Sequence, residues 1–278
     1  MKYALMRYPD FKRKALTFSY DDGVKFDKRL VEIFNKHGLK GTFNINSGLF
    51  GVNRGDRRMT KEEILETFKD SPHEIAVHGY RHLSLTEVDT ARATYDVARD
   101  RTELETLFGR TVQGMAYANG ALDDTVVEIL RNCGINYART TVSTECFNVP
   151  DDWLRMPATC HHGHPRLMEF AKTFVEAEED WYIWRKTPML FYVWGHSYEF
   201  DDNDNWSIME EFAEYIGGRE DIWYVTNGEL YDYVQAFNRL VFSMEGNIVY
   251  NPSAIPVWFV GLNWKKYKIE AGQTLVLE

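Results

Sequence analysis

The sequence predicts an α/β fold in which parallel strands alternate with helices, and three observations carry the prediction. Ala15, Leu16, Phe18 and Tyr20 form a buried-strand run, residues 26–37 carry a helical stripe of Phe26, Leu30, Ile33 and Phe34 closed by Gly38, and residues 42–46 alternate as a second strand. That succession is one βαβ unit. Polar motifs then stand where strands end, at Asp21-Asp22-Gly23 and at His78, the end at which parallel barrels keep their sites. Finally, 278 residues with 44% hydrophobic content suffice for one sizeable core.

Each further element follows from its own pattern. Residues 48–58 are polar and glycine-rich, a loop at the second strand's carboxyl end. Thr60 and Glu63 make a capping box for a helix to Phe68, stopped by Ser71-Pro72. Residues 74–77 are a third strand, with His73 before it as a structural or solvated residue rather than a ligand. A periodic helix from Thr86 to about Phe108, ended by Gly109, reads as scaffold. Residues 111–120 give a strand and its loop, 123–134 a capped amphipathic helix, and 135–139 another strand. Helices are expected over 166–178, 206–216 and 229–238, strands over 188–196 and 221–226, and a polar loop over 201–205. Short alternating runs beyond residue 239 read as a small β appendage, so the expected division is a barrel over 1–238 and a C-terminal extension over 239–278.

The chemistry concentrates at two strand tips. Asp21 and Asp22 are adjacent carboxylates that repel when ionised, and a divalent metal is the usual cation to absorb such charge. Nitrogen ligands are offered by His78-Gly79-Tyr80-Arg81-His82: on a helical turn the four-residue spacing puts both imidazoles on one face. One Asp and two His make three protein ligands, the number a catalytic site uses when it keeps one position open.

At these residues the chain resembles the polysaccharide deacetylases, the NodB-homology group also called carbohydrate esterase family 4. The family's Thr-Phe-Asp-Asp-Gly is met by Ser19-Tyr20-Asp21-Asp22-Gly23, and its His-Ser/Thr-x-x-His by His78-Gly79-Tyr80-Arg81-His82. The resemblance implies a distorted (β/α)7-type barrel over roughly residues 15–237 and hydrolysis of N- or O-acetyl groups on a carbohydrate. It also implies a divalent metal, with Zn2+ first and Co2+, Ni2+ or Mn2+ as alternatives. By position, Asp21 would be the general base, and Asp22, His78 and His82 the metal ligands. Residues 188–196 loosely match the motif whose histidine is the general acid, here His196, with Trp194 expected to shape the acetyl pocket. The family's Arg-Pro-Pro-Tyr-Gly is replaced by Ala116-Tyr117-Ala118-Asn119-Gly120, so the arginine that orients the base is missing. Asn119 aligns with the residue whose backbone N–H binds the oxyanion. Tyr117 either lines the site or packs in the core. Arg155, after Asp151 and Asp152, either replaces the missing arginine beside Asp21 or is a surface residue. His161, His162 and His164 invite a second metal site but lack a clear carboxylate partner in sequence; alternatively His161 lines the substrate.

Composition bounds the remainder. A net charge of -10 argues against nucleic acid, because phosphate binding needs a basic surface. An acetylated oligosaccharide or polysaccharide fits better. Cys133, Cys146 and Cys160 lack metal-like spacing and are expected as reduced thiols. No signal peptide or membrane span is visible, so the expected location is cytoplasmic. Two rivals stand beside the deacetylase: a cyclic-amide hydrolase of a small metabolite on the same fold, and a non-catalytic glycan-binding protein. The oligomeric state, the sugar and the linkage stay open.

Overall fold

The computed structural model describes residues 4–52, 57–177 and 188–278. In chain order come β1 (Ala4–Arg7), β2 (Lys14–Asp21), α1 (Asp27–Lys36), β3 (Gly41–Ile45), α2 (Lys61–Phe68), β4 (Glu74–Val77), α3 (Thr90–Phe108), β5 (Gly114–Ala116) and α4 (Asp124–Asn132). They are followed by β6 (Tyr137–Ser143), β7 (Met156–Ala158), β8 (Cys160–His161), α5 (Leu167–Glu176), β9 (Met189–Gly195), α6 (Tyr198–Asp202), α7 (Ser207–Ile216), β10 (Ile222–Tyr224) and α8 (Asn227–Asn238). Five short strands close the chain: β11 (Val241–Phe242), β12 (Ile248–Tyr250), β13 (Val257–Gly261), β14 (Lys266–Ile269) and β15 (Thr274–Val276).

The main sheet is parallel throughout, in the order β7-β6-β5-β4-β3-β2-β9-β8, with β10 beside the first half of β2. Its two end strands are consecutive in the chain. Met156 and Ala158 pair with β6, Cys160 and His161 pair with β9, and Thr159 between them donates its N–H to Tyr192 O at 2.8 Å. One extended segment thus reaches from one end of the sheet to the other without a regular ladder, which makes a distorted (β/α) barrel. The order also brings β2, β4 and β9 together, and these strands deliver the polar motifs.

All eight residues of β2 are buried, as expected of a parallel strand covered on both faces. Alternation then divides them. Phe18 meets Phe34 of α1 with ring centroids 4.4 Å apart and Phe212 of α7 at 6.0 Å, so Leu16, Phe18 and Tyr20 belong to the layer under the helices. Ser19 and Asp21 point the other way, into a polar barrel interior.

The capping box at Thr60 is present, with Glu63 N–H donating to Thr60 Oγ1 at 3.3 Å and Thr60 N–H to Glu63 Oε2 at 2.9 Å. The helix expected from Thr86 begins at Thr90, because a 3-10 turn over Leu85–Glu87 precedes it and Asp89 accepts from Arg92 N–H at 3.0 Å as its cap. The strand expected over 135–139 runs on to Ser143, and part of the expected 201–205 loop is the end of α6. The end of the expected 166–178 helix and the centre of the 48–58 loop lie outside the described residues. The tail forms two antiparallel sheets, β11-β12-β15 and β1-β13-β14. The second takes in β1, with Ala4 opposite Gly261, a pairing that no local pattern signals. No helix among the described residues is long and apolar enough to cross a membrane. Cys133, Cys146 and Cys160 are free.

His73 shows what the core does to a titratable group. It is 1% exposed, and its Nδ1 accepts the Gly41 N–H at 3.1 Å. Burial, and then the charge of Lys40, lower its pKa to about 4. Between pH 6.5 and 4 the unfolded chain therefore binds a proton that the folded chain refuses, so this contribution is intact above 6.5 and is lost as pH falls. An Asn at position 73 keeps an acceptor for Gly41 but does not titrate. The stability difference between wild type and His73→Asn, measured by denaturant melts, is expected to move in the variant's favour by about 3 kcal/mol from pH 7.5 to pH 4. A difference independent of pH would show that His73 is not held neutral.

Candidate active site

Asp21 ends β2, and the chain then turns sharply: Asp22 has φ +91° and Gly23 φ +63°. Asp22 N–H donates to Asn44 O at 2.9 Å, which fixes the turn on β3. This backbone sends neighbouring carboxylates to different places. Asp22 Oδ1 lies 3.9 Å from His78 Nε2 and 3.6 Å from His82 Nε2, and one ligand atom from each of the three residues can be chosen within 4.8 Å of the others. His78 Nδ1 donates to Ala116 O at 2.9 Å, leaving Nε2 with its lone pair toward Asp22, the tautomer that a metal ligand needs. Burial, against the raising influence of Asp21 and Asp22, lowers the His78 pKa to about 4, so the neutral ligating form prevails. The three residues fit a divalent cation in donor type and spacing, and His78 also in tautomer.

The histidine spacing is not helical, however. His78 follows the end of β4, and the chain turns back through Gly79 at φ +83° and His82 at φ +57°. A side chain at 79 would be strained by this φ, and its Cβ would lie 2.5 Å from Asp96 Oδ2. The turn is pinned from α3. Asp100 accepts from His78 N–H at 3.0 Å and from Ser47 N–H at 2.7 Å, and Asp96 accepts from Arg81 N–H at 2.9 Å. α3 is therefore more than scaffold. Arg58 adds a cation, Nη2 standing 2.8 Å from Asp22 Oδ1.

Asp21 is 3% exposed and bonded on both oxygens. Asn44 Nδ2 donates to Oδ1 at 2.8 Å, and Arg139 Nη2 makes a short charged bond to Oδ2. Arg139 comes from β6, crosses the interior, also donates to Ser19 Oγ at 3.2 Å, and rests on the Trp194 ring at 4.4 Å. Burial alone would raise the Asp21 carboxyl, but Arg139 first, then His78 and His196, hold it down at about 2. Asp21 is thus held ionised at neutral pH. His196 follows β9, with Nε2 3.9 Å from Asp21 Oδ2 and Nδ1 3.4 Å from Glu199 Oε1. Burial lowers its pKa, yet Glu199, Asp21 and Asp22 outweigh that and raise it above the usual value.

The structure corrects the expectation for Arg155. Its Nη2 is 2.5 Å from Asp124 Oδ1 and its Nη1 2.8 Å from Asp152 Oδ2, both partners on the surface. Neighbouring carboxylates take up its guanidinium, and Arg139 stands beside Asp21 instead. Because exposed pairs contribute little, Arg155→Ala is expected to leave turnover within about twofold of wild type in a steady-state assay.

Tyr117 is 1% exposed and its hydroxyl donates to Leu154 O at 2.7 Å, so it packs in the core. Asn119 lies in the 3-10 turn Ala118–Gly120 at φ +56°, with Nδ2 donating to Ser84 Oγ at 3.0 Å. Trp194 is half-buried, its ring centroid 4.8 Å from that of His161 and 6.0 Å from that of His196. His161 Nε2 and His162 Nε2 both face Glu199 Oε2, at 3.0 and 3.2 Å. Burial would raise Glu199, but hydrogen bonds from His161, His162 and His196 hold it far below its ordinary value. The carboxylate partner missing beside His161 and His162 is therefore Glu199, brought over by α6, whereas His164 Nε2 faces Glu145 Oε1 at 3.5 Å.

Residues 8–138 match the sequence model of the polysaccharide deacetylase family. No curated protein sequence matches the chain. Among solved structures, the fold is similar to a polysaccharide deacetylase from Mycobacterium smegmatis at TM-score 0.62 and 18% identity, covering 86% of this chain and 96% of that one. A family 4 carbohydrate esterase from Streptomyces lividans, solved with acetate, gives TM-score 0.51 and 12% identity over 76% of this chain and 92% of that one. On the Streptococcus pyogenes deacetylase PplD, also with acetate, the match is 18% identical at TM-score 0.46 and spans 50% of this chain and 61% of that one, under two thirds of its length. The motif-bearing residues 8–138, just under half of the chain, are thus similar to the polysaccharide deacetylase family in sequence, and the barrel that holds them is similar to these deacetylase and esterase structures in fold.

Proposed function

We propose that the chain is a metal-dependent hydrolase that removes acetyl groups, N- or O-linked, from a carbohydrate. The observation that carries this reading is the convergence, at the ends of β2, β4 and β9, of a buried ionised carboxylate, a ligand triad and a histidine, with Asp21 Oδ2 3.8 Å from His78 Nε2 and 3.9 Å from His196 Nε2. When bound by Asp22, His78 and His82, a divalent cation supplies Lewis acidity toward the acetyl carbonyl and the attacking water. Asp21 accepts the proton of that water. Arg139 and Asn44 fix its oxygens, so no reorganisation is needed as the proton arrives. The Asn119 backbone N–H is assigned to the developing oxyanion, a kind of contact that contributes about 3 kcal/mol. His196 protonates the departing amine or alcohol through Nε2, while Glu199 on Nδ1 keeps its imidazole charged and oriented. Trp194 forms the apolar wall beside His196.

The test is acetate release by zinc-loaded protein on N-acetylated oligosaccharides and O-acetylated xylan. Release by wild type and a fall of about 10²–10⁴-fold in Asp21→Asn are expected. Equal release by both proteins, or none on any substrate with metal verified as bound, would overturn the reading.

A further inference from the structure

We propose that His161, His196 and Glu199 form a second divalent-cation site, and that an ion held there silences His196 as a proton donor. The three residues come from β8, the end of β9 and the first turn of α6, and one ligand atom from each can be chosen within 4.8 Å of the others. His161 Nε2 is 3.0 Å from Glu199 Oε2, and His196 Nδ1 is 3.4 Å from Oε1. Donor atoms around a tetrahedral zinc sit roughly 3.3 Å apart, so an ion enters with little rearrangement of the donors. Glu199 is not free to swing away. His162, stacked between Tyr20 at 5.7 Å and Phe200 at 4.0 Å, points Nε2 at Glu199 Oε2 from 3.2 Å, as an outer-shell group does. The three ligands remain 29%, 21% and 29% exposed on their side chains, so solvent ions reach them.

The two sites differ in readiness. His78 already bears its proton on the nitrogen that faces Ala116 O. His161 Nδ1 instead accepts the Gly163 N–H at 3.1 Å, which favours the proton on Nε2. An ion at His161 must displace that proton and move the turn at Gly163, so this site fills second. His196 couples the two, since its Nε2 faces Asp21 and its Nδ1 faces Glu199. To donate from Nε2 at neutral pH the ring must be an imidazolium, protonated on both nitrogens. An ion on Nδ1 takes the place of one of those protons, and the Nε2–H that remains belongs to a neutral, metal-bound ring and is a far weaker acid. The cation-binding claim rests on the cluster alone, while the inhibition rests on the deacetylase reading.

Cobalt binding, followed by equilibrium dialysis and visible absorption on the full chain, separates the two. Wild type is expected to hold two ions at saturation, the second more weakly. Each of His161→Gln and Glu199→Gln should hold one, and His82→Gln should keep only the weaker. One ion in wild type, or two in both His161→Gln and Glu199→Gln, would sink the second site. Acetate release should peak near the first equivalent and fall at least about tenfold as the second binds, whereas His161→Gln should rise to its own maximum and stay there. Two bound ions with undiminished release overturn the inhibition. No release at any loading overturns the deacetylase reading and the inhibition together, and the cobalt count still decides the site.

Discussion

Arg139→Met is expected to lose both stability and turnover. The guanidinium is fully buried, and it is the cation bonded to Asp21, itself 3% exposed. Removing one member of such a pair leaves an uncompensated charge in the interior, a loss of about 3–5 kcal/mol. The carboxylate can escape that penalty by taking a proton, because burial pushes its pKa up once Arg139 no longer opposes it. A protonated Asp21 cannot accept the proton of the attacking water, so turnover should fall by about 10²–10⁴-fold at neutral pH. Arg139→Lys keeps the charge but loses the fork that reaches Ser19 and Asp21 together, and should fall between the two. Denaturant melts read the first effect and acetate release across pH the second. Turnover in Arg139→Met close to that of wild type would mean that Asp21 needs no fixed cation, and the assignment of its base role would fail with it.

The contrast between Arg139 and Arg155 shows what was legible in the sequence. Asp21-Asp22-Gly23, His78 and His82, and His196 could be read because each motif is contiguous and stands at the tip of a recognisable strand. Arg139 is separated from Asp21 by 118 positions and reaches it across the barrel interior. In the sequence it is merely the last residue of an apolar run. Its one local sign is a cation in the buried half of a strand, which carries weight only once β6 and β2 are known to face each other. For Arg155 the sequence leaves open that role beside Asp21 and a surface position beside Asp151 and Asp152, and the surface alternative holds, with Asp152 itself as its partner. Asp96 and Asp100 offered a better signal than was used. They stand four apart on the face of α3 that also buries Ala93, Val97 and Leu104, and two acids on a buried stripe call for backbone donors to satisfy them. Glu199 sits three residues beyond His196, but its other partners, His161 and His162, reach it only through the parallel pairing of β8 with β9. The barrel itself was legible as a succession of strands and helices. The sheet that joins β1 to β13 was not, because its pairing is almost as long-range as the chain allows.

Removing the metal should have a different signature from losing Arg139: activity disappears while the fold remains. Asp22 is the one carboxylate of the triad, and Arg58 stands 2.8 Å from it, itself tied to Asn46 Oδ1 at 2.9 Å. His78 is buried in its neutral form and bonded to Ala116 O, so extracting a cation strands no charge in the interior. Dialysis against a chelator should therefore abolish acetate release, by about 10³-fold or more for a site that relies on Lewis acidity, and circular dichroism should stay unchanged. The unfolding free energy should fall only by the linkage contribution, about 4 kcal/mol where free metal had been a thousand times the dissociation constant. Asp22→Ala should reproduce the loss of activity, and it should not be rescued by added zinc, because Arg58 then faces the two histidines with no carboxylate to offset its charge. Unfolding on chelation would show that the cation is structural. Full activity after verified removal would leave Asp21 and His196 to act without it and would exclude metal dependence. In the re-addition experiment, a rise with the first equivalent of zinc tests the triad, and any decline beyond it belongs to His196 and Glu199, so one titration reports on both clusters in turn.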